Sequence, residues 1–426
     1  MRTLAATVAL AALVIFMISL VAVDPPASAK KKAWWPAWRG PESTGSVATG
    51  TYASSWSATD KVLWNVKLPG VGRSTPIVTG EHILITCPSE GQDAVIDFDW
   101  KGNQRWLTKV GKAVSGKHRN GSGSNGSPVT DGDKVFAYFR SGNLAGLELD
   151  GERLWKTNVY ERFGKDTLWW DAGTSPVLTE KHVVVAVMHD GDSYLAAFDK
   201  AKGDLAWKVA RNYETPVEND HAYTTPTVVR DGDRELILVW GAEHVTAHSA
   251  KDGSVVWSCG GFNPEGKSNW VAVASAVVAG DVIVVPYGRG GYLAGVKLGG
   301  KGDVTKTHRL WTRKDVGAFV PTPAVHDGKV YVVRDRGEVV CIDAKSGETV
   351  WTGQFPKHRS SYYASPVVAN GTLYAPREDG VVLVAKVETE FEFLAENDMG
   401  ESLIASPVPV DGQILIRSQE HLYCID

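Results

Sequence analysis

The sequence has 426 residues, a formal net charge of −4, 44 glycines and 16 tryptophans. A charge balance so close to neutral excludes nucleic acid and an anionic membrane surface as general electrostatic partners. The four cysteines, Cys87, Cys259, Cys341 and Cys424, lie far apart with no CxxC or Cys/His spacing; this excludes a metal-knuckle module and favours buried single thiols over a disulfide framework.

Residues 1–29 read as a secretory signal. Arg2 supplies the positive start, Leu4 to Val23 is an uncharged apolar run, Asp24-Pro25-Pro26 breaks it, and Ala27-Ser28-Ala29 offers a small-x-small cleavage site before Lys30. The run is also long enough to span a bilayer, so an uncleaved N-terminal anchor is the alternative. No cysteine follows it for lipid attachment. Localisation is expected to be periplasmic or secreted, with the membrane reached only through that segment. Residues 30–59 then form a lead-in, and residues 60–426 a repeat array.

Two interleaved series define the repeat. Ser/Thr-Pro recurs at Thr75-Pro76, Ser127-Pro128, Ser175-Pro176, Thr225-Pro226, Thr322-Pro323, Ser365-Pro366 and Ser406-Pro407, with Ser275-Ala276 in the fifth slot. The mean step is about 47 residues. A tryptophan closes each unit: Trp64, Trp106, Trp155, Trp207, Trp257, Trp311 and Trp351, with Phe391 or Phe393 standing in after the seventh. Both counts give eight.

Each unit holds four short apolar segments. In the sixth, Pro323-Ala324-Val325 leads through Asp327-Gly328 into Val330 to Val333, past Gly337 into Val339 to Asp343, and through Ser346-Gly347 into Thr349-Val350-Trp351. Asp-Gly and Asn-Gly suit primed hairpin turns, which need positive φ at both central residues. The equivalent pairs are Asp131-Gly132, Asp231-Gly232, Asn370-Gly371 and Asp411-Gly412. Four antiparallel strands at this period predict an all-β, eight-bladed β-propeller. The last unit ends at Asp426 with three strands, and Val62 to Val66 supplies its fourth, closing the ring.

The stretches Phe198-Asp199-Lys200-Ala201-Lys202-Gly203-Asp204-Leu205-Ala206-Trp207 and Ile342 to Trp351 resemble the quinoprotein-type (PQQ-like) repeat, Ala-x-Asp-x-x-x-Gly-x-x-x-Trp. In that family the tryptophan docks between blades, so the motif implies packing before chemistry. Three units depart from it: Ser249 replaces the aspartate, Gly299 to His308 is an insertion, and Glu388 to Phe393 has neither glycine nor tryptophan. Trp38-Arg39-Gly40-Pro41 resembles the lead-in of secreted PQQ-like repeat proteins, with no role that the sequence defines. One branch of the resemblance, to BamB-like envelope propellers, implies a non-catalytic scaffold that binds an envelope or secreted protein. The other, to quinoprotein alcohol dehydrogenases, implies PQQ, calcium and an aspartate base. Those dehydrogenases carry an adjacent cysteine pair, which this sequence lacks. The expectation is therefore a scaffold with no catalytic residues, no metal and no cofactor, with a PQQ- and calcium-dependent dehydrogenase of alcohols or sugars as the alternative.

Connections between units carry the candidate binding residues, because function generally sits on loops of a rigid frame. One holds Trp169, Trp170 and Asp171; the next Asp220, His221 and Tyr223; later ones Trp270, Tyr362 and Tyr363. These side chains form either a cupped site or packing between long loops. A second pattern places Arg140, His189, Trp240, Arg334, Arg377 and Arg417 at the ends of second strands, with Arg289 nearby in the fifth unit. If the blades superpose, their guanidiniums form a ring at the channel mouth suited to carboxylates or phosphates. The alternative is pairing with neighbouring acids such as Asp335, Glu378 or Asp379. Gly121 to Gly126 fits GxGxxG but precedes a strand rather than opening a helix, so it is declined as a nucleotide loop.

Overall fold

A computed structural model describes residues 33–426; the signal expected at 1–29 lies outside the described residues. Eight antiparallel sheets follow one another around an axis as blades 1 to 7 (residues 77–112, 129–158, 177–210, 227–259, 277–313, 324–354 and 367–398) and blade 8 (408–425). Blade 8 is completed by Val62–Lys67, which pairs antiparallel with His421–Ile425. The all-β, eight-bladed propeller and its split last blade are therefore as expected. The middle strands, such as His182–Val187, are buried on both faces because each blade packs between two others. That explains their unbroken valine runs, whereas outer strands such as Leu205–Ala210 alternate.

Near the axis the Ser/Thr-Pro series acquires a specific bonding role. The backbone N–H of Thr75 donates to Ser127 Oγ at 2.9 Å, Ser127 to Ser175, Ser175 to Thr225, Thr225 to Ser275, Ser275 to Thr322, and Thr322 to Ser365. Ser406 donates back to Thr75 Oγ1 at 3.1 Å, across the two ends of the array. The belt needs the hydroxyl, not the proline, which is why Ser275-Ala276 serves in the fifth slot. Proline suits the next position because an inner strand is an edge strand with no ladder partner to receive its N–H.

Farther out, each tryptophan locks onto the following blade. The indole N–H of Trp155 donates to Lys200 O at 2.9 Å, and Trp64, Trp106, Trp207 and Trp311 do the same with Trp100, Leu149, Ala250 and Ala344. Gly203 (φ +71°) lies under the Trp155 ring, where an added Cβ would collide with it. The repeat's glycine therefore provides both the left-handed turn and the close approach. Trp207, facing the unit with Ser249, keeps its bond, but the two tryptophans facing a unit without the glycine-bearing turn, Trp257 and Trp351, have no partner for the indole N–H. Each gap is filled differently. The insertion places Gly302–Asp303 parallel to Trp257 and Ser258, and buries Val304 in the same cluster as Trp257. In blade 7 the register puts Ala395, not Phe391 or Phe393, opposite Val384 at the tryptophan position. Trp56 of the lead-in stacks on Tyr374 at 6.2 Å there, within a cluster joining blades 7 and 8.

The turn expectation needs one correction. Asp327-Gly328, Asn370-Gly371 and Asp411-Gly412 have positive φ at both residues, but at Asp131-Gly132 and Asp231-Gly232 only the glycine does. Asp231 ends its strand, leaving Gly232 and Asp233 as the loop, so that pair sits one residue out of phase. All four cysteines are buried free thiols.

Substituting Trp155 with Phe is expected to cost about 1–2 kcal/mol more than Trp351→Phe, since only the first removes a hydrogen bond. Urea unfolding midpoints would measure this, and equal shifts would show that the interblade bond contributes nothing.

Candidate functional site

All eight connections between blades lead to one mouth, where a cavity of about 430 Å³ opens over the hydroxyl belt. Its floor includes Trp38 of the lead-in. The walls mix apolar side chains (Val271, Val273, Phe319, Ile404) with Arg73, His118, Asn120, Asp171, Glu218 and Arg289.

Of the expected binding residues, Trp170, Asp171, Tyr223 and Tyr363 line this cavity. Trp169 and Trp170 stand 51% and 49% exposed on the connection from blade 2 to blade 3. Each rests edge-on against a histidine of an adjacent connection, Trp169 on His221 at 5.3 Å and Trp170 on His118 at 5.5 Å. Tyr223 Oη accepts from Trp170 N, and burial raises the Tyr223 pKa. Asp220 stands 4.0 Å from the buried His221, behind this ledge. The packing alternative holds for the others. Tyr362 is buried and stacks on Phe355, while Trp270 packs among Tyr287, Tyr292 and Lys267.

The expected ring of guanidiniums is corrected. Arg140 is buried and paired with Asp171 at 2.7 Å. Arg377 forks onto Asp379 at 2.8 and 3.1 Å, and Arg334 pairs with Glu338 at 2.5 Å. Arg417 is buried under blade 1, donating to the carbonyls of Ser74 and Thr86. The four positions do not superpose: opposite the inner-strand residue that follows each Ser/Thr-Pro stand Phe136, Tyr331, Tyr374 and Leu415, so Arg417 lies two residues on, Arg334 and Arg377 three, and Arg140 four. A buried charge among them must be paired or hydrogen-bonded. The guanidiniums that reach the cavity are Arg289, 4.4 Å over the Phe319 ring, and Arg73. Sequence reading missed Arg73; its one signal is its place two residues before the first Thr-Pro. Burial lowers its pKa, and its Nε and Nη1 lack partners.

Asp171 holds the wall together. Its carboxylate accepts from the backbone N–H groups of Lys117 and His118 at 2.8 to 2.9 Å and forms an ion pair with Arg140. So engaged, it is a poor calcium ligand or general base. Among the described residues no three His, Cys, Asp or Glu side chains converge as a metal set. Asp171 and its neighbours therefore do not offer a calcium ion an open set of carboxylate oxygens.

A family model described as outer membrane protein assembly factor BamB matches residues 41–189 and 165–353. Proteins of that name from Yersinia pestis and Escherichia coli K12 are each 24% identical to this chain. The first alignment covers 74% of this chain and 76% of the relative, the second 74% and 86%. Among solved structures, BamB from Moraxella catarrhalis superposes with a TM-score of 0.60 at 14% identity, over 85% of this chain and 98% of that one. A europium-containing methanol dehydrogenase superposes with a TM-score of 0.68 at 12% identity, over 91% and 89%. At these identities the structural likenesses establish the shared propeller and nothing about chemistry.

Replacing Asp171 with Ala strands Arg140 as a buried unpaired charge and frees two loop amides, with an expected loss of about 3–5 kcal/mol. Limited proteolysis should then cut within residues 113–121 while the blades resist; wild-type protection there would refute the anchoring role.

Proposed function

The chain belongs to the outer membrane protein assembly factor BamB family, and on that premise we propose that it is a non-catalytic binding propeller of the cell envelope. Its partner is a protein engaged in envelope or outer-membrane assembly, and it docks on the connection face. The observation that carries this reading is the Trp169-Trp170 ledge, two adjacent half-exposed indoles standing on a buried frame at the rim of the mouth. Exposed rigid aromatics held over a well-packed base are typical energetic anchors of protein interfaces. The family relatives supply the class of partner by their name. An exported setting accords with the expected signal at residues 1–29, and no helix among the described residues is long and apolar enough to cross a membrane.

Catalysis is not part of the proposal. The engaged Asp171 and the lack of a converging donor set support a function without PQQ or calcium.

Trp169→Ala and Trp170→Ala are each expected to weaken capture of the partner at least tenfold in native envelopes, with unchanged melting temperature. Leu310→Ala and Val350→Ala, exposed on outer strands away from the mouth, serve as controls. Equal capture by all four variants would remove the ledge from the interface. Adding PQQ and calcium to purified protein is expected to give no dye-linked oxidation of alcohols or sugars; stoichiometric binding with turnover would overturn the scaffold reading.

A further inference from the structure

In the Trp38-Arg39-Gly40-Pro41 motif, Trp38 reaches the mouth, but Arg39 has a structural place that partner binding there does not use. The lead-in starts as Trp34–Trp35, paired antiparallel with Val78 and Thr79 of blade 1, and ends as Ser46–Val47, paired parallel with Val368 and Ala369 of blade 7. Between these points it passes the axis on the far side of the belt, and the loop from Arg39 to Gly45 closes on itself through Gly45 N donating to Arg39 O at 2.8 Å. A Cβ on Gly45 would occupy the space of the Arg39 guanidinium, so the loop is shaped around that side chain.

Arg39 is 4% exposed, and no carboxylate of the described residues lies within 4.0 Å of it. Its Nη2 donates to the carbonyls of Pro323 and Pro366 at 3.2 and 2.9 Å, whereas Nε and Nη1 have no partner. Burial pulls its pKa down to about 9, so it stays a cation at neutral pH in a site that provides no counter-charge. A buried charge of this kind is strongly disfavoured unless an opposite charge accompanies it.

Beside Arg39 lies a chamber of about 30 Å³ bounded by Ser43, Thr225, Ser275 and Thr322. The last three are belt residues. Each hydroxyl oxygen accepts an N–H from the neighbouring blade, so its own hydrogen is left to donate. The chamber thus places several O–H groups beside the positive charge of Arg39, whose side chain is part of its lining, and has room for only one or two water-sized particles. That volume is too small for an organic acid, and a water molecule would satisfy the donors without balancing the charge.

We propose that this chamber binds a small inorganic monoanion of the halide class, held between the Arg39 guanidinium and the belt hydroxyls. The ion ties the lead-in to the inner ends of blades 4, 5 and 6, and gives the Trp-Arg-Gly-Pro motif a role in closing the ring.

The test uses the whole protein. Melting temperature is followed in sodium chloride and in sodium gluconate at equal ionic strength, then in sodium bromide. Chloride and bromide are expected to raise it saturably, by on the order of 2 °C or more, because a ligand bound only by the folded state stabilises it. Arg39→Met should lose the halide dependence, and Arg39→Lys should retain it in part. Wild-type crystals soaked in bromide provide a readout that needs no variant: an anomalous peak in contact with Arg39 is expected. Identical melting in chloride and gluconate, or bromide peaks only elsewhere, would overturn the proposal and leave the docking role of the mouth untouched.

Discussion

Seven of the eight blade junctions are tied near the axis by the same bond, a backbone N–H donated to the Ser or Thr hydroxyl that opens the next inner strand. The connections, the mouth and the chamber below it all depend on this belt. A propeller blade has an edge strand facing a narrow channel, where backbone donors would otherwise go unpaired. The hydroxyl resolves that problem for its neighbour, and the proline removes the donor that would follow. Since each tie joins consecutive blades, blade spacing at the axis is set before any loop is placed. Among the described residues the junction from Ser365 to Ser406 lacks the tie, and there the lead-in runs alongside, pairing with blade 7 and packing Trp56 between blades 7 and 8.

The outer tryptophan contact is a second constraint, and its exceptions show how much the fold relies on it. Where the receiving unit lacks the glycine-bearing turn, the indole loses its hydrogen bond but not its burial: the Gly302–Asp303 strand with Val304 covers Trp257, and Phe391 packs against Trp351. Each replacement restores apolar contact from a different part of the chain. Apolar contact is non-directional and can be supplied by any side chain that fits, whereas the indole bond needs a carbonyl at one position.

Charge at the connection face is arranged economically. Arg140, Arg377 and Arg417 sit at or just beyond the ends of second strands and are all consumed in holding loops or strand ends in place. This leaves a mouth whose exposed character is aromatic and apolar, with Arg73 and Arg289 as its cations. Such a surface suits association with a protein, and the Asp171 carboxylate in its wall is committed to structure.

The sequence by itself determined the period, the number of blades, the closure by Val62–Lys67 and the identity of the packing tryptophans, because these follow from local chemistry repeated eight times. It also pointed to the connection carrying Trp169, Trp170 and Asp171. Only the tertiary structure decided which side chains face the cavity. Arg140 and Arg73 are both arginines near a connection, yet one is spent on Asp171 and the other lines the cavity, and that difference is set by neighbours about 30 to 350 residues away in the chain. The same holds for Arg39, a lone basic residue in a short motif until the fold encloses it among the hydroxyls of the belt. Repetition makes a fold legible from periodicity, but burial and pairing of a charge are long-range properties that exist only once the ring has closed.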